Sequence, residues 1–188
     1  MSEFSEASFK SQSFAGHSFK GEYYEECTFL NCDFSEAHFG QGHFENCHFE
    51  NCDLSNVRVT NAKWQELQFK GCRLSGIDLE NISPMLLSFS FENCQLLYCN
   101  FQALKLEGTH FLNCEIKECD FLETDLSRAV FKGSNLSRSI FRDCNLIKAD
   151  FRQAYEYHFD PLMNRIKGAQ FSNPEVLALL AGFDIKIE

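Results

Sequence analysis

The sequence predicts an all-β solenoid, a chain wound into short coils stacked around one continuous core. Three observations lead there. Large apolar residues recur at every fifth position, small residues recur two places before them, and the other three places of each unit are mostly polar. A period of five fits neither a helix, at about 3.6, nor a strand, at about 2. One large and one small residue inward with three polar residues outward describe one short side of a coil. Units of fixed period stack and share a core.

The stretch ECTFLNCDFSEAHFGQGHFENCHFENCDLS carries the rhythm at Phe29, Phe34, Phe39, Phe44, Phe49 and Leu54. Sixteen such centres run from Phe4 to Leu79, including Tyr24, Val59 and Trp64; the rhythm slips by two residues at NISPMLL, resumes at Leu86 and gives fourteen more to Phe151. With Phe171, centres account for eighteen of the 21 phenylalanines, so the aromatic excess is core material. The place two before the centre is Ala, Cys, Ser, Thr, Gly or Val in 22 of thirty units, and all ten cysteines lie there. Gln12, His17 and Glu22 are too large and polar for that place, which predicts loose or end-exposed first coils. Pro84 stands where a centre is due and has no donor for an inter-coil ladder, so a bulge is expected there. Beyond it, Phe and Leu or Ile alternate from Phe91 to Leu126, a packing pattern.

The units CDFSE, TDLSR, SNLSR, CNLIK and ADFRQ resemble the pentapeptide-repeat family, over Met1 to about Gln153. The resemblance implies a right-handed quadrilateral β-helix with four pentapeptides per coil. At the ordinary strand spacing, thirty units then make a rod of roughly 36 Å. The expected organisation is a β-helix over 1–171, with the register slip at 80–86 and an irregular last coil over 152–166.

Residues 172–188 are expected to form a short helix and a terminal strand. Ser172 and Glu175 have capping-box spacing, Pro174 suits a first turn and Gly182 a C-terminal stop. The helix is apolar around too much of its surface for a lone cap. Val176, Leu177, Leu179, Leu180, Phe183 and Ile185, with Ile187 behind them, have two uses open to them, a cap folded onto the chain's own last coil or a cap that also pairs two copies, and the homodimer is the expected one.

No site for chemistry emerges. The four C-x4-C pairs follow from the period of five, and the same column elsewhere accepts Ala, Thr and Ser, so no metal site is expected. His38, His43, His48 and His110 fall one place before a centre, on the skin of a rod with a filled interior, and no catalytic residue is assigned. Phosphate-binding and dinucleotide motifs are absent, so no cofactor is expected. No apolar run is long enough for a membrane span and the N-terminus has no signal-peptide core, so a cytoplasmic protein is expected.

Charge is more informative. A formal net charge of −10 disfavours direct binding to nucleic acid or anionic lipid and favours basic protein surfaces. Centres 4, 24, 44 and 64 are twenty residues apart and stack on one side, whose outward places carry Glu3, Glu6, Glu25, Glu26, Glu45 and Glu66 against Lys63. Lys105, Arg128 and Lys148 interrupt the stripe further along.

The segment FDPLMNRIKGAQFSNPEVLALLAGFDIKI is similar to the end of the Qnr/MfpA-type branch, and SFSFENCQLLYCNFQALKLEGTHFLNCEIKECDF to the microcin B17 immunity protein. Those resemblances imply binding of DNA gyrase or topoisomerase IV by imitation of DNA, with protection against quinolone or peptide poisons. The alternative is an interaction scaffold that binds another basic protein through the same face.

Overall fold

In a computed structural model, residues 2–183 and 185–186 are described. The chain forms a four-sided parallel β-solenoid. On the first side the strands Ser2–Ser5, Glu22–Glu25, His43–Glu45 and Lys63–Gln65 pair in parallel, with Phe4, Tyr24, Phe44 and Trp64 in register. The second side holds six parallel strands, from Ser8–Lys10 to His110–Leu112, aligning Phe9, Phe29, Phe49, Phe69, Phe91 and Phe111. A third side pairs Arg73–Ser75, Gln95–Leu97 and Glu115–Lys117. Single bridges such as Ser18 to His38 and His38 to Arg58 build the fourth.

The core is a set of ring stacks. Phe111 lies between Phe91 and Phe131, with centroids 5.2 and 4.9 Å away and planes within 11° of parallel. Rings on adjoining sides meet edge to face, as Phe111 does with Phe121 at 6.1 Å. Both arrangements suit the aromatic quadrupole. Stacking at coil spacing is therefore why Phe fills this column.

The small column does more than save space. Most thiols and hydroxyls there reach the backbone carbonyl of a centre in the coil below: Cys52 Sγ to Phe29 O at 3.3 Å, Thr124 Oγ1 to Phe101 O at 2.8 Å, Ser134 Oγ to Phe111 O at 2.9 Å. At some corners the same atom also accepts an N–H, as Ser134 Oγ does from Cys114 at 2.9 Å. Cys, Ser and Thr are thus small donors for a carbonyl that the strand ladder leaves free. Ser134→Ala strips partners from a buried N–H and a buried C=O, so we expect it to cost about 2–4 kcal/mol in denaturant unfolding. Ser139→Ala, with the same two partners one corner on, should match it.

Four sequence expectations need correction. Leu86 is not a centre: it is 72% exposed with φ 56°, and Leu87 packs against the core in its place, bridging antiparallel to Gln65. Phe89, in the small column, fills the space left beside Trp64, with ring centroids 6.0 Å apart. Ser172 does not cap the C-terminal helix; its hydroxyl accepts from the N–H of Gln153 at 3.0 Å and ties the last coil to the one below. Gly182 lies inside that helix, which spans Glu175–Phe183, and does not stop it. No strand includes Ile185 or Lys186, and Ile187 lies outside the described residues.

The helix is a 3-10 helix, in which residues three apart eclipse one another. Its apolar residues therefore split into two stripes. Val176 and Leu179 face the core, whereas Leu177 and Phe183 are 40% and 43% exposed with the half-buried Leu180 between them. Before it, Tyr157 and Phe159 are buried where the pentapeptide rhythm fails, and Asn164 takes a small-column place by donating to Phe141 O at 3.0 Å. At the N-terminal end Phe4, Phe9 and Phe14 are only partly buried, and Gln12 and His17 are exposed, because among the described residues no coil lies beneath them.

Candidate protein-binding face

The glutamates singled out in the sequence lie on the first side and its corner. Register places Glu25 beside Glu45, with Ser5 and Gln65 as the outer rungs of that column. The next column turns the corner with Glu6, Glu26, Asn46 and Glu66, all at φ of 51–52°. Their N–H groups continue the ladder, Glu6 to Glu25 O at 3.0 Å and Glu26 to Glu45 O at 2.9 Å. Nearly all corners take this left-handed conformation, which Asn and Gly adopt most readily. The next corner along the chain uses Ser11, Asn31, Asn51, Gly71, Asn93 and Asn113. The carboxylates of this face are thus not demanded by the turn.

Glu3, Glu6, Glu26 and Glu66 are exposed, and Glu25 and Glu45 are half-buried. Glu45 is also engaged: Tyr23 donates to it at 3.0 Å, and His43 Nε2 lies 3.6 Å away. The Tyr23 and His43 rings lie 4.7 Å apart at a tilt of 35°, and His43 meets Gln65 Oε1 at 3.2 Å. Burial, then the Glu45 hydrogen bond, pushes the Tyr23 phenol up to about 12, so it remains a donor at neutral pH. Tyr23 and His43 also line a shallow groove of about 410 Å³ with Glu22, Gln41, Asn61 and Lys63.

Sequence reasoning missed Glu22. It stands in the small column, yet near the open end its carboxylate turns outward, accepts from Tyr24 at 2.8 Å and meets His17 Nε2 at 3.3 Å. The signal was the pairing of two departures, His17 and Glu22, in consecutive units.

All ten cysteines are free and buried. Burial pushes the Cys47 and Cys144 thiols up to about 12, so they stay protonated as donors to carbonyl oxygens. Among the described residues, no group of three His, Cys, Asp or Glu is arranged to hold a metal ion, and no helix is long and apolar enough to cross a membrane.

At the far end, the hollow between Pro161–Met163 and the 3-10 helix measures about 230 Å³ and is lined in part by Leu162, Leu179 and Phe183. Of the residues expected at a dimer interface, Leu177, Phe183 and Ile185 are exposed, Leu180 is half-buried, and Val176 and Leu179 cover the chain's own last coil.

Family models agree with this architecture. A pentapeptide repeat region matches residues 22–101, and pentapeptide repeats in eight copies match 94–133 and 119–155. No curated protein sequence matches the chain. Among solved structures, it is similar to a trypsin-treated form of QnrB1, a plasmid-mediated fluoroquinolone resistance protein, at 22% identity and TM-score 0.65, covering 99% of this chain and 100% of that one. A second trypsin-treated form gives 22% and 0.66 over 98% and 99%. HetL, involved in heterocyst differentiation regulation in the cyanobacterium Nostoc, shares 16% identity at TM-score 0.51, over 90% and 86%. With repeat models covering 22–155 without a gap, the chain belongs to the pentapeptide-repeat family.

Proposed function

We propose that this chain is a non-enzymatic protein that binds DNA gyrase or topoisomerase IV through its acidic face and protects the enzyme from quinolone or peptide poisons. The observation that carries this reading is the alignment of Glu25, Glu26, Glu45 and Glu66 on consecutive coils, with Glu3 and Glu6 at the rim. Duplex DNA carries one phosphate charge per roughly 1.7 Å of axis. Carboxylates on coils about 4.8 Å apart, in two adjoining columns, present the same sign of charge along a narrow rod. A basic DNA-binding saddle would attract such a rod. The likeness to QnrB1 suggests that the relevant poison is a quinolone, and this partner would place the chain in the cytoplasm.

A second reading has its own support. Lys105, Arg128 and Lys148 lie further along the same side, where an imitation of DNA would keep its negative sign. That pattern favours a scaffold for another basic protein, docked on the N-terminal half alone. The assay that separates the two is DNA supercoiling by purified gyrase, with and without ciprofloxacin. We expect this protein to inhibit supercoiling or to relieve the drug's inhibition at micromolar concentration. Neither effect at that level would remove topoisomerase as the partner.

The proposed active form is a homodimer joined through the outward stripe of the C-terminal helix. Light scattering at about 0.5 M salt, where contacts between exposed charges are screened, should give the mass of two chains, and Leu177→Asp with Phe183→Asp should give one, with the fold retained because Val176 and Leu179 still cover the core. A native chain that stays monomeric would make the helix a cap alone.

A further inference from the structure

The glutamate face reverses sign along its length. Before the register slip its outward places hold Glu25, Glu26 and Glu66, with Lys63 the one lysine among the described residues there. After the slip they hold Lys105, Arg128, Lys148, Arg165 and Lys167, and bridges from Lys105 to Asp125, Asn145 and Arg165 keep them on one side. The two carboxylates of that half are engaged: Glu107 pairs with Arg128, and Asp125 accepts from Asn145 Nδ2 at 2.8 Å. At the point of reversal the bulge turns Met85 and Leu86 outward, 60% and 72% exposed. Neither side chain serves the core, and Leu86 holds a left-handed φ of 56° that leucine seldom adopts.

We infer that this face is a self-complementary interface, on which a second copy lies side by side and antiparallel, with the two-fold axis at Met85 and Leu86. A charge gradient along a rod repels a parallel copy and attracts an antiparallel one. In a two-fold contact each patch meets its complement twice, so the acidic half of each chain faces the basic half of the other. The bulges then meet each other and supply an apolar centre inside a polar rim. A rod of this length offers on the order of 500 Å² per copy, at the weak end for a specific contact. The pairing is therefore sensitive to salt and concentration. It covers Glu25, Glu26 and Glu66, and so withholds them from any basic partner until dilution or competition frees the face. It does not depend on topoisomerase being that partner, and it uses a surface distinct from the C-terminal helix.

Met85→Cys in the full chain tests it, because the ten native cysteines are buried and a short bismaleimide reaches the new thiol. The experiment is run in the Leu177→Asp, Phe183→Asp background, so that the helix end contributes nothing. A covalent dimer is expected at about 0.05 M salt, with its yield reduced about tenfold at about 0.5 M. Adding Lys148→Glu with Lys167→Glu should abolish the cross-link. Mixing that chain with one carrying Glu25→Lys and Glu26→Lys should restore it as a heterodimer. The proposal is overturned by absence of a dimer at low salt, by a yield indifferent to salt or charge, or by equal cross-linking of a Glu50→Cys control on the neighbouring side.

Discussion

Phe111→Ala should unfold the solenoid from the middle and cost about 5 kcal/mol. Phe111 is fully buried, stacks on Phe91 and Phe131, and meets Phe101 and Phe121 edge to face. Alanine leaves a cavity that these rings cannot close, because the backbone ladder holds each at its own rung. The loss is a large share of the roughly 5–15 kcal/mol that holds a domain together. Phe4→Ala provides the comparison. Phe4 stacks on one ring, Tyr24 at 4.7 Å, and is only partly buried, so its loss should be about 1–2 kcal/mol. Stability in stacked repeats is a sum of units and the interfaces between them. Phe111→Ala should therefore also split the single unfolding transition in two, as N-terminal and C-terminal coils melt apart. Denaturant unfolding followed by circular dichroism, with hydrogen exchange at the Phe91 and Phe131 amides, reads both effects. Equal losses for the two variants would mean that the ring stacks do not hold the rod together.

The core was legible because one residue type repeats at one period. Phe29, Phe49 and Phe69 announce themselves twenty residues apart, and the same arithmetic puts Glu25 next to Glu45. What period alone cannot convey is what a side chain does once it is placed. Cys, Ser and Thr look merely small in sequence, and their shared carbonyl bond emerges only when coils are stacked. Leu86 keeps the count of five, but Pro84 next door denies the chain a regular corner, and the count then mistakes an exposed residue for a buried one. The helix was legible as apolar on two sides. Its tighter winding, which separates Val176 and Leu179 from Leu177 and Phe183, depends on the last coil against which it lies. On the acidic face, charge could be counted from sequence. That Tyr23 and His43 occupy Glu45, leaving Glu26 and Glu66 the freer carboxylates, required side-chain geometry.

Replacing Glu25, Glu26 and Glu66 with lysine should cost at least a hundredfold in affinity for gyrase or topoisomerase IV while leaving the fold intact. None of the three faces the core, and lysine can hold the corner conformation that glutamate already holds. Three reversals turn three attractions to a basic saddle into three repulsions, so the effect on binding far exceeds the effect on stability. The same changes on the second and third sides, at Glu50, Glu92 and Glu115, keep the net charge identical and should leave affinity within about threefold.

The acidic face is the centre of the proposed function, and its most direct test is equilibrium binding of the native chain to purified gyrase over a salt series. Attraction between a carboxylate-lined rod and a basic saddle predicts tight binding near 0.05 M salt that falls by about two orders of magnitude near 0.5 M. The Glu25, Glu26 and Glu66 reversals should remove the low-salt binding. Binding that ignores salt and survives those reversals would contradict the account.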